Sequence, residues 1–183
     1  MATQPVADAQ PAYAAAALEG NVFSAMTAVT GVAPGTSVST TSAFTLHNPA
    51  GSGVNLVILE GTMGYVSGTF GAGVVTWNAN SDDDAAAPTG TAIAEVNMLI
   101  GGSANANGRA LTTATVPAPT PIRPFASLGA SLATTVLGPW VIKDRVDGAI
   151  VVKPGCSISL HATAAAGTSP LVVFGVTWQE VAE

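Results

Sequence analysis

From Asn21 onward the chain is punctuated every few residues by clusters of Gly, Pro, Asn and Ser, and short runs rich in Val, Thr and Ile stand between them. Branching at Cβ stiffens these side chains and suits them to a pleated surface, whereas the polar helix formers Glu, Lys, Gln and Arg are rare here. The pattern predicts strands at residues 22–29, 44–48, 54–65, 74–78, 92–100, 111–116, 140–142, 149–152, 157–163 and 171–181. Alternation is clean in 157–161, where Ile158 and Leu160 share one face and Ser157, Ser159 and His161 the other. Residues 54–59 are almost continuously apolar, which predicts burial on both faces. Turns are signalled at Asn48-Pro49-Ala50-Gly51, Asp147-Gly148, Lys153-Pro154-Gly155 and Ala166-Gly167-Thr168-Ser169-Pro170.

Strands this short and numerous specify an all-β domain. Two long stretches read as irregular: 78–91, which holds Asp82-Asp83-Asp84, and 116–139, which is proline-rich at its start. Such unequal connections suit a jelly-roll-like β-sandwich better than a regular up-and-down barrel. Residues 1–20 read as a short N-terminal arm, because a polar opening leads into an Ala-rich segment that fits a short helix stopped by Gly20. Residues 21–183 form the sandwich domain. Between Thr115 and Pro124 stand Pro117, Pro119, Pro121 and Pro124. Proline fixes φ and favours extended geometry, so this stretch is either a rigid connection within the subunit or, like the arm, a strap for a neighbour.

Charge is the scarcest property of the chain. Lys and Arg number 5, Asp and Glu 11, so that 9% of residues are charged while 48% are hydrophobic. An ordinary soluble domain carries about 25% charged residues. So thin a charge cover predicts surfaces hidden by companions. The net charge of −6, with basic residues scattered at Arg109, Arg123, Lys143, Arg145 and Lys153, excludes a general nucleic-acid binder, which needs clustered cations. No apolar run reaches 18 residues, so no membrane-spanning helix and no membrane partner are expected. A basic segment followed by an apolar one is absent at the start, so no signal peptide is expected. The single Cys156 cannot close an intrachain disulfide, which fits synthesis in a reducing cytosol.

The motifs of catalysis are thin. Cys156, His47 and His161 do not stand at zinc-ligand spacing, and Asp82–Asp84 lacks the alternation of a calcium loop, reading instead as a solvated acidic loop. Gly129-Ala130-Ser131-Leu132-Ala133 resembles a nucleophile elbow only loosely. Gly68, Gly71 and Gly73 do not make a phosphate loop, and nothing pairs Glu60 or Glu95 with a second carboxylate. Trp77, Trp140 and Trp178 are expected in packing, with a sugar-stacking platform as the alternative. No catalytic, cofactor-binding or metal-binding residue is therefore assigned, no cofactor is expected, and the chain is not read as an enzyme.

Two segments carry a resemblance. In residues 44–59, Leu46-His47-Asn48-Pro49-Ala50-Gly51-Ser52-Gly53 feeds a long apolar strand; near the end, Pro154-Gly155 precedes a strand, and Trp178-Gln179-Glu180 stands in the last one. These resemble virion structural proteins encoded in the head gene clusters of tailed bacteriophages, over about a quarter of the chain. In architecture the chain resembles jelly-roll cement or decoration proteins that trimerise on the outside of capsids. The resemblance implies a homotrimer, made in the host cytoplasm and bound to the major capsid protein on the capsid exterior. It equally admits a head fibre, minor capsid or tail protein. A carbohydrate-binding sandwich is the remaining alternative.

Overall fold

The computed structural model describes residues 13–80, 87–103, 105–117, 119–128, 141–163 and 167–183. One short helix, α1 (Ala14–Leu18), precedes eleven strands: β1 (Val22–Met26), β2 (Thr41–His47), β3 (Val54–Ser67), β4 (Gly73–Asn80), β5 (Thr89–Ile93), β6 (Glu95–Asn97), β7 (Arg109–Thr115), β8 (Thr120–Leu128), β9 (Val141–Val152), β10 (Ser157–Ala162) and β11 (Leu171–Ala182). They form two antiparallel sheets. The first has the order β6-β1-β11-β3-β9 and the second β5-β7-β2-β10-β4-β8.

Leaving out β5–β7, the remaining eight strands fall, in chain order, as first, eighth, third and sixth in one sheet and second, seventh, fourth and fifth in the other. Consecutive strands thus pass between sheets, except at the β4 to β8 step. That is a jelly roll, as the sequence leads one to expect. The segment β5–β7 is an addition to it. β5 lies at the edge of the second sheet and β6 at the edge of the first, with only Ala94 between them. One run of chain therefore laces the two sheets together along that side.

The inner faces pack Phe23, Phe44, Leu46, Ile58, Met63, Trp77, Ile158, Leu160, Phe174 and Trp178 into one buried core. Aromatic rings set its geometry. Phe125 meets Trp77 edge-on at 5.4 Å and Phe174 at 6.4 Å, and Phe23 stacks on Trp178 at 6.1 Å. Trp77 and Trp178 are fully buried, so neither offers a surface platform; Trp140 lies outside the described residues.

The doubly buried stretch in β3 has a local cause. Leu56 and Ile58 point into the core, while Val22, Leu59 and Ala16 form a second cluster on the outer face beneath α1. The β3–β11 register shifts between Thr177 and Trp178, opposite Glu60 and Ile58, which leaves Leu59 as the extra residue of a bulge. The end of the arm is thereby held against the sandwich as a lid on Leu59.

Three expectations need correction. First, 116–139 is not irregular throughout, since residues 120–128 form β8 on β4. Its prolines fit because β8 is an edge strand, so a missing N–H breaks no second ladder; the register also shifts twice beside Pro121 and Pro124. The part of the proline-rich stretch in β8 is thus sheet rather than strap. Second, Asp147-Gly148 does not separate two strands. Both residues have positive φ (49° and 82°), yet they lie inside the continuous β9. There Ile150 pairs with Ile58 and Arg145 with Glu60, so residues 146–149 face the single Leu59 as a bulge, with Val146 turned into the core. The Tyr13 hydroxyl donates to the Asp147 carboxylate in that bulge. Third, 92–100 is not one strand, because the chain changes sheets at Ala94.

Asn48 explains the Leu-x-Asn-Pro signature. Fully buried, it donates through Nδ2 to the carbonyls of Val54 (2.8 Å) and Val152 (2.9 Å) and accepts from Ser52 Oγ (2.6 Å). One side chain thus ties the turn to the starts of β3 and the end of β9.

Candidate interaction surface

The chemistry-bearing residues come together mainly on the outer face of the second sheet. Ser159 pairs across the sheet with Thr45 and Asn78, and all three are buried. Ser159 Oγ lies 3.0 Å from His161 Nε2, an i, i+2 pair on one face of β10. Sequence reading placed both residues on that face without linking them. This is a serine–histidine contact, but both side chains are buried, and among the described residues no carboxylate hydrogen-bonds to the imidazole. A triad needs that third group and an accessible hydroxyl.

Burial pushes the His161 pKa down to about 4. It also lowers that of His47, partly opposed by the Cys156 carbonyl, and His47 Nδ1 is buried without a hydrogen-bond partner. Between pH 6.5 and 4 the unfolded chain binds a proton that the folded chain refuses. The stability tied to His161 is therefore complete above about pH 6.5 and is lost as pH falls, by about 3 kcal/mol at pH 4. Urea unfolding at pH 7 and pH 4 should show this loss, and His161→Asn should flatten the slope. An unchanged slope in that variant would refute the assignment.

The other candidates separate. Among the described residues, no three His, Cys, Asp or Glu side chains gather to hold a metal. Cys156 is buried beside a cleft of about 240 Å³ at the mouth of the sandwich, lined also by Asn80, Ile122, Ile150 and Lys153. Glu60 is paired with Lys143. Glu95 turns inward, where it accepts the Ala110 N–H at 2.8 Å. Asp82–Asp84 and Ser131 lie outside the described residues.

What remains on the surface is unevenly distributed. On the β8–β9 side, Arg123 pairs with Asp144 at 2.7 Å, and Trp77 Nε1 donates to the same carboxylate at 2.7 Å, joining the two sheets. Lys143, Arg145, Asp147 and Lys153 stand along or just beyond β9. The opposite side is apolar. Val96, Met98, Leu99 and Ile100 are exposed in and after β6, and Met26 is exposed on β1 beside it. Val96 and Met26 border one hollow, and Met98 borders another with Tyr13, Ala14 and Ala17 of the α1 region.

The fold and surface thus define a jelly-roll sandwich with its charges thinly spread and one side bearing a cluster of exposed apolar residues. Comparison with protein-family models, curated proteins and solved structures yields no match.

Proposed function

We propose that the chain is a non-enzymatic structural subunit of a tailed-phage virion, a cement protein that self-associates, as a trimer, and binds the major capsid protein on the outside of the head. The observation that supports this reading is the cluster of exposed apolar side chains, Met26, Val96, Met98, Leu99 and Ile100, on one side of a jelly roll. Cement subunits work by contact area, and dry apolar area supplies the free energy of such contacts. Nothing in that task requires a pocket or a reacting group.

The test is binding of the purified chain to phage heads stripped of it. Saturable cosedimentation, with label over the whole head and a raised temperature of head disruption, is the expected result. Absence of cosedimentation overturns the capsid role, and label confined to the tail or a single vertex reassigns the chain to another virion part.

A further inference from the structure

We infer that copies of this chain join through the β5–β6 side, with Met26, Val96, Met98, Leu99 and Ile100 of each copy gathered around the symmetry axis. The inference rests on the self-association in the reading above and names the surface that performs it.

The argument begins with strand edges. An exposed edge is a template for unwanted pairing, and proteins guard edges with proline, charge, bulges or cover. Two sheets present four edges here. β8 carries Pro121 and Pro124 and two register shifts. β9 carries Lys143, Asp144 and Arg145 and the Asp147–Gly148 bulge. β5, Thr-Gly-Thr-Ala-Ile, has no charge and no proline, and its one irregularity falls at Gly90. β6 is short, and its one charge, Glu95, is turned inward. Among the described residues, the edges with neither proline nor an outward charge are thus the two made by one continuous run of chain on one side.

The same side carries a contiguous cluster of exposed apolar residues, whereas Ile122, Val141 and Val151 are exposed on the β8–β9 side among its charges. Ile100 is 83% exposed, Val96 51% and Met26 50%. Val96 stands opposite Ser24 on β1, Met98 N–H donates to the Val22 carbonyl, and Leu99 lies against Gly20 at the end of α1, where Leu18 is 66% exposed. These residues are contiguous. At such exposures they present on the order of 600 Å², near the about 800 Å² per partner of a standard specific interface.

Charge selects the occupant. Each copy carries a net −6, so copies repel least where they meet at surfaces with the fewest charges. Among the described residues the exposed side chains of Met26, Val96, Met98, Leu99 and Ile100 form such a place, with Glu19 the one exposed carboxylate beside Leu18, and a second copy offers the same apolar cluster in return. A capsid contact chosen by charge would instead use the β8–β9 side, where Arg123, Lys143, Arg145 and Lys153 stand.

The test is mass by light scattering on the full chain at micromolar concentration. Ile100→Asp and Val96→Lys, at exposed positions, should weaken self-association by roughly 100-fold or more while far-ultraviolet and near-ultraviolet circular dichroism stay native. Val141→Lys, at a 74% exposed position on the opposite edge, should leave the mass unchanged. Mixing Ile100→Asp with Ile100→Lys copies should restore assembly, which only a second copy as occupant explains. If the wild type assembles and the β6-side variants keep its mass, the surface is wrong and self-association stands. If those variants assemble normally but no longer bind heads, the surface belongs to the shell and the inference falls. A monomeric wild type overturns both.

Discussion

Glu180→Ala should cost about 4 kcal/mol of unfolding free energy, read by urea denaturation at pH 7. Glu180 is buried at the inner face of β11. Its Oε1 accepts the backbone N–H groups of Asn107 at 2.8 Å and Gly108 at 2.9 Å, its Oε2 accepts Asn107 Nδ2 at 2.7 Å, and Trp178 Nε1 approaches at 3.4 Å. Truncation leaves these donors without an acceptor, two of them on the backbone of the turn that leads into β7. A donor buried and unpaired loses its full hydration. Glu180→Gln keeps one acceptor oxygen and should lose less than half as much. If the alanine variant comes within 1 kcal/mol of wild type, the carboxylate does not hold that turn. The Trp-x-Glu pattern has its physical sense here, with a core indole and a clasp two residues apart on one face.

Gly61→Val should destabilise the chain by about 3 kcal/mol or more, which for a domain of this size lowers Tm by about 10 °C. A β-carbon at Gly61 would stand 2.5 Å from both Phe125 Cε2 and Trp77 Cζ2. Those rings are locked against each other and against Phe174, so they have no direction in which to yield. Gly64, three residues along β3, has open space at the same point, and Gly64→Val is the matched control. Equal melting temperatures for the two variants would refute the packing argument.

Local chemistry made most of the strands legible, because β-branched runs between turn residues need no knowledge of their partners. It failed where tertiary context overrides local signal. Pro121 and Pro124 argue against a strand until one knows that β8 is an edge. Asp147-Gly148 is a strong turn signal that β9 absorbs as a bulge because β3 continues past it on the other side. Ala94 looks like any strand residue, and only the two-layer arrangement makes it a crossing point. The surface was half legible. Scarce charge led to the expectation of covered surfaces, but not to the placement of most cations on the β8–β9 side, through pairings such as Glu60–Lys143 and Arg123–Asp144 that join residues far apart in the chain.

β1 and β11 lie side by side inside the first sheet, with Val22 opposite Gln179 and Met26 opposite Gly175. The middle of that sheet is thus made from the first and the last of the described strands. On the ribosome β3 must wait for its inner neighbour until β11 has emerged, so the first sheet closes late. Its barrier includes closing the long loop between β1 and β11, a cost that slows folding. A premature stop before Leu171 would remove the keystone rather than trim a margin, so the cell would hold either finished subunits or unfolded fragments.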